Sequence, residues 1–208
     1  MAVLPILELP HPVLRQRAKK VRKIDASVLR LAHDMVETLA DANGVGLAAN
    51  QVGALRRVIV IRLHEEDEET RIYINPEIVL REGEREVEEG CLSIPGYKGL
   101  ITRSVWVKFS ALDHTSKLVK LKADGLLSQA LEHEVDHLNG ILYLDHLKEH
   151  DTLWSVDEDH DTESDDQEGG ARHSGSQQEG NVQADEQTAE APELSIDLSE
   201  ASASLKIR

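Results

Sequence analysis

A single cysteine, Cys91, stands in 208 residues, so an intrachain disulfide framework is impossible and a reducing, cytoplasmic setting is expected. No apolar run approaches the roughly 20 residues that cross a bilayer, although hydrophobic residues make up 40% of the chain, and no membrane partner is expected. The opening stretch Met1-Ala2-Val3-Leu4-Pro5 lacks a basic segment followed by a long apolar one, and no targeting signal is read there. Basic residues are outnumbered, 23 Lys and Arg against 39 Asp and Glu, for a formal net charge of -16. An overall field of that sign repels polyanions, so direct, sequence-specific nucleic-acid recognition is not expected.

The imbalance is uneven. Positions 1–150 hold 20 basic and 23 acidic residues (net -3), whereas 151–208 hold 3 and 16 (net -13). The second stretch is built from Asp, Glu, Ser, Gln, Gly and Ala, with Trp154 its one aromatic residue. That leaves too little apolar surface to offset chain entropy. A domain over 1–150 followed by a disordered, low-complexity acidic tail over 151–208 is expected. Only Leu194 to Leu198 alternates within that tail, a pattern short enough to be incidental.

In the first part, Val28, Leu31, Met35 and Leu39 recur at three-to-four spacing, which predicts an amphipathic helix with Asp25 or Ser27 as its cap. Val58–Leu63 and Arg71–Asn75 are rich in Val, Ile and Tyr and flank the acidic run Glu65–Glu69, the pattern of two strands and a solvated connection. A second antiparallel pair is predicted where Val105, Val107 and Phe109 alternate with polar residues and Leu118–Leu121 follows a turn. Leu126–Leu138 reads as a second helix that stops at Asn139-Gly140. The expected fold is α+β, mainly antiparallel sheets packed around a central helix.

That second helix carries His133-Glu134-Val135-Asp136-His137. Two histidines four apart share one helix face with a carboxylate alongside, a geometry that chelates one divalent metal. A catalytic site of this kind needs a third ligand and an open position. Cys91 supplies a thiolate if it is not simply a small buried hydrophobe, and Gly90 beside it allows close backbone approach. Upstream, Gly44-Val45-Gly46-Leu47-Ala48-Ala49-Asn50-Gln51 joins two glycines, where backbone can meet a ligand, to an amide able to hold an oxyanion. A dinucleotide-binding reading fails, because no third spaced glycine follows and the preceding segment is helical.

Together, Gly44–Gln51, Glu89–Ser93 and Glu132–Leu138, in this order, resemble the peptide deformylase family, and the likeness runs from Leu9-Pro10-His11-Pro12 to about residue 147. The resemblance implies hydrolysis of the N-formyl group from the N-terminal methionine of newly made polypeptides, with release of formate. It implies Cys91, His133 and His137 as metal ligands and Glu134 as general base and acid. Gln51 and the backbone N–H of Leu92 would meet the oxyanion, and Gly44, Val45, Gly46 and Leu126 would line the substrate pocket. Family members use ferrous iron, Fe2+, in the cell and often accept Zn2+, Ni2+ or Co2+; a thiolate with two imidazoles does not choose among these.

Three positions depart from the family pattern or stand apart from it. Glu132 replaces the usual Gln, and is expected either to point outward or to disturb the local field. Lys98 stands where some members have Arg. Asp136 is expected either to orient a ligand or pair with Arg103, or to be solvated on the helix face. Some members dock on the ribosome through a basic C-terminal extension; a tail of net -13 opposes this, leaving at most a transient ribosome encounter. Two competing readings are a zinc endopeptidase with Asp145 or Glu149 as its third ligand, and a non-catalytic acidic interaction protein.

Overall fold

Asp25 opens the first helix, α1 (Ala26–Asp41), its side chain accepting hydrogen bonds from the backbone N–H groups of Ser27 (2.9 Å) and Val28 (3.1 Å). Of the two candidate caps it is therefore Asp25 that satisfies the orphan donors of the first turn. Val28, Ala32, Met35 and Leu39 form the buried stripe of α1 and pack on Leu47, Val58, Val60 and Ile74, as the helical period requires. The chain is described here from a computed structural model, over residues 2–63, 70–148 and 152–156. The acidic run Glu65–Glu69, Glu149, the segment Leu194–Leu198 and most of the acidic tail lie outside the described residues.

Eight strands are present among the described residues: β1 (Gly46–Ala48), β2 (Val58–Ile61), β3 (Arg71–Glu82), β4 (Arg85–Cys91), β5 (Ile94–Arg103), β6 (Trp106–Leu112), β7 (Leu118–Asp124) and β8 (Leu153–Ser155). Five make an antiparallel sheet in the order β1-β2-β3-β6-β7, and three make a second one in the order β4-β5-β8. Both predicted strand pairs are there, Val58 opposite Ile74 and Phe109 opposite Leu121. β3 runs seven residues past Asn75 because the sheet tolerates Pro76 at a register shift between Ile74 and Glu77, the kind of irregularity where a missing N–H does no harm.

The second helix, α2 (Gly125–Leu138), is buried from Ala130 to its end. Leu131, Val135 and Leu138 pack on the inner face of the large sheet, against Ile59, Tyr73, Val107 and Phe109, with the Tyr73 and Phe109 rings edge-to-face at 4.9 Å. Burying that face fixes the rotation of α2 and thereby aims His133 and Asp136 at the small sheet. β4 and β5 were not evident in the sequence, and ordered structure also continues past residue 150: β8 sets Trp154 opposite Lys98, where a featureless tail was expected. The described residues contain no helix long and apolar enough to cross a membrane.

Candidate metal centre

Cys91 ends β4, and His133 and His137 lie one turn apart on α2. Cys91 Sγ is 3.2 Å from His137 Nε2, which is 3.1 Å from His133 Nε2. All three ligand atoms lie within 4.8 Å of one another, the one such gathering among the described residues. Ligands of a tetrahedral ion held at about 2.0–2.3 Å stand roughly 3.3–3.6 Å apart, and separations of 3.1 and 3.2 Å, slightly shorter, are compatible with a shared cation. Nδ1 of His133 is 2.6 Å from Glu89 Oε1; donating its proton to that carboxylate leaves the Nε2 lone pair facing Cys91 and His137.

Behind the donors runs a chain of buried charge. Arg103 grips Glu89 with two hydrogen bonds, Nε to Oε2 (3.0 Å) and Nη2 to Oε1 (2.6 Å), and donates a third from Nη1 to Asp136 Oδ2 (2.6 Å). His146 Nε2 lies 2.8 Å from the same Asp136 oxygen. Burial alone would raise the Glu89 carboxyl, but bonds from His133 and Arg103 outweigh it and hold it at about 2. The two acids in turn keep Arg103 charged despite burial, raising its pKa. Such an array is stable because every charge is paired and hydrogen-bonded.

Glu134 is different. It is 2% exposed, and its Oε2 has no hydrogen-bond partner among the described residues. Burial pushes its carboxyl up to about 7, with His133 opposing. Gly46 faces it so closely that a β-carbon there would lie 2.4 Å from Oε1. Glu134 opens onto a cleft of about 530 Å³ lined also by Gly44, Val45, Gly46, Gln51, Cys91, Leu92, Lys98, Leu126 and His133. Every residue that the family resemblance assigns as ligand, acid–base group, oxyanion donor or pocket wall thus lines this cleft, except the buried His137. The Gln51 amide is anchored by Ala48 N–H donating to its Oε1 (2.8 Å), while Nε2 reaches Ser93 Oγ (3.2 Å) and Cys91 Sγ (3.6 Å).

The family model described as polypeptide deformylase matches residues 3–152. The chain belongs to the polypeptide deformylase family. A peptide deformylase from Dehalococcoides mccartyi (strain CBDB1) is 50% identical over 159 residues, 76% of this chain and 95% of that protein. One from Mesorhizobium japonicum is 46% identical, covering 71% and 85%. Among solved structures, a peptide deformylase from Legionella pneumophila matches with a TM-score of 0.68 at 44% identity, covering 71% of this chain and 87% of that one. A peptide deformylase from Synechococcus elongatus, in complex with actinonin, matches at 0.67 and 39%, covering 71% and 80%. Deformylases are hydrolases that remove the formyl group from newly made peptides, and this is the enzyme activity of the chain, served by a Cys/His/His group for one divalent metal.

In this deformylase Glu132 does not point outward to solvent. It is 3% exposed and turned away from the ligand group, its carboxylate accepting from Arg81 Nε (2.8 Å), Ser104 N–H (2.9 Å) and Ser104 Oγ (3.0 Å). Asp136 is paired with Arg103 and His146 rather than solvated. Asp145, the endopeptidase's alternative ligand, is instead bonded to Arg15 and to the Leu142 N–H. Glu89, Ser93, Asn50 and His146 were not singled out for roles. The spacing of Glu89 and Cys91, two apart on one strand and so on one face, was the available sign for Glu89. Asn50 donates to the His137 carbonyl (2.5 Å), a contact across 87 residues that leaves no local trace.

Proposed function

We propose that Cys91, His133 and His137 hold one divalent metal, ferrous iron in the cell with Zn2+, Ni2+ or Co2+ as substitutes, and that the substrate is an N-formyl-methionyl nascent peptide. A cation held there supplies Lewis-acid activation of water and of the formyl oxygen. Glu134 takes a proton from the attacking water as it adds to the formyl carbon, then delivers that proton to the amine as the C–N bond breaks, so formate and a free N-terminus leave. The Gln51 amide and the Leu92 N–H donate to the developing oxyanion. Gly44, Val45, Gly46 and Leu126 receive the methionine side chain.

The observation that carries this reading is Glu134: a buried carboxylate whose Oε2 has no partner among the described residues, on the wall of the same cleft as His133. A structural carboxylate would be paired, as Glu89 and Glu132 are. The work is proposed to take place in the cytoplasm, with the ribosome met only transiently.

The test is formate release from a formyl-Met peptide by protein purified without oxygen, since a ferrous thiolate site is open to oxidation, with bound metal counted in the same sample. Glu134→Gln should lose activity by about 10² or more while keeping its metal. Cys91→Ser should lose the metal. Retained turnover in the first variant, or a full metal complement in the second, would refute the roles given to these residues.

A further inference from the structure

A second cleft, also about 530 Å³, opens on the face of α2 that presents Val135 and Asn139 rather than His133 and Glu134. Its walls carry four cations, Arg17, Lys20, Arg57 and Arg81, and one carboxylate, Glu77. This is unexpected in a chain of net charge -16. The local sequence explains it: Arg15, Arg17, Lys19, Lys20, Arg22 and Lys23 fall in nine residues that contain no acid, and folding brings Arg57 and Arg81 beside them.

The cations are incompletely neutralised. Arg81 is paired with the buried Glu132, and Lys20 stands 3.8 Å from Glu77 with both side chains largely exposed. Among the described residues, half-buried Arg57 donates only to neutral oxygens, Asn139 Oδ1 (2.9 Å) and the Pro76 carbonyl (3.0 Å). Burial and the charge of Arg17 both lower the Arg57 pKa, against a weaker opposing pull from Glu77. Arg17 itself has no side-chain partner among the described residues.

The backbone under this group is firmly held. Ala18 N–H donates to the Leu138 carbonyl (2.8 Å), Arg57 N–H to the Lys19 carbonyl (2.9 Å), and the Asn75 side chain both accepts from Val21 N–H (2.8 Å) and donates to the Val21 carbonyl (2.9 Å). Nor are the cations needed to cap α2. Its last carbonyls, those of Asp136, His137 and Leu138, already accept from Ile141, Gly140 and Ala18.

We propose that this cleft binds phosphate-bearing anions, either the phosphodiester groups of RNA or free phosphate. Guanidinium forks and an ammonium group crowded into a concave site pair with phosphate oxygens and relieve the repulsion among themselves. Among the described residues no exposed large hydrophobic side chain lines the cleft, which sets it apart from a membrane-seating surface, where apolar groups enter the interface.

The experiment uses the full, metal-bound chain at low salt, with two probes: a short fluorescent single-stranded RNA followed by anisotropy, and inorganic phosphate followed by calorimetry. Arg17→Glu/Lys20→Glu should weaken binding by about tenfold or more, while leaving formate release from a formyl-Met peptide unchanged. Lys117→Glu/Lys120→Glu, which alters net charge equally on the β6–β7 hairpin, should leave binding nearly intact. Tight RNA binding that falls steeply with added salt assigns the phosphodiester source; phosphate binding without an RNA preference assigns the small anion. Failure of both probes to bind, or an equal loss in the two charge-reversal variants, overturns the proposal.

Discussion

Gly46 and Glu134 share one space: a β-carbon on Gly46 would stand 2.4 Å from Glu134 Oε1 and 2.9 Å from its Cδ and Cγ. The whole side chain, not just a flexible tip, would have to move, and at 2% exposure it has little room. Gly46→Ala should therefore lower kcat for formyl-peptide hydrolysis by about tenfold or more, the scale on which a displaced general base is felt, with metal content unchanged. Steady-state kinetics with metal analysis checks this; an unaltered kcat would show that Glu134 does not need its present position.

Glu89 fixes His133 through a 2.6 Å contact at Nδ1. Replacing the carboxylate by an amide, Glu89→Gln, weakens that orienting bond and removes one of the two charges answering Arg103. Metal affinity should fall by about 10–100-fold, as is typical when the partner of a ligating histidine is lost. Competition against a chelator measures it, and affinity equal to wild type would mean that packing alone orients the ring.

Glu132 stands directly before a ligand in sequence yet faces Arg81 and Ser104. Glu132→Gln should lower thermal stability, by about 1–3 kcal/mol because a buried charged hydrogen-bond set is left imperfect, and should leave kcat and metal affinity where they were. Thermal melts and formate release, run on the same preparation, separate the two effects.

The Asp25 carboxyl is held below the usual aspartate range, first by the Ser27 side chain and then by the Val28 N–H. A depressed folded-state pKa means that the group's contribution is complete above its unfolded value, roughly 3.9, and is lost as pH falls through the folded value. Asp25→Ala should melt a few degrees below wild type at neutral pH, and the gap should close on acidification. A gap that persists in strong acid would show that the carboxylate charge is not what caps α1.

What could be read from sequence was what is local. α1 and α2 announce themselves through helical spacing, a capping aspartate and an Asn-Gly stop, and the ligand histidines sit at a fixed interval on one of them. β4 and β5 escaped because Arg85, Glu86, Glu88 and Glu89 crowd one strand with charge, while Pro95, Gly96 and Gly99 interrupt the other. Their pairing is specified by partners, not by their own alternation. The buried charges escaped for a related reason. Nothing near Arg103 foretells that Glu89, 14 residues before it, and Asp136, 33 after it, will both be turned to the same guanidinium.

That shared guanidinium ties the accuracy of assembly to the chemistry. Arg103 is the last residue of β5, and a slip of β5 by one residue would turn it to the opposite face of its sheet. Glu89 and Asp136 would then be buried without their common cation, and the carboxylate that meets His133 Nδ1 would lose the two hydrogen bonds that hold it. The pairing register of β5 and the setting of the carboxylate beside His133 are thus one and the same structural condition.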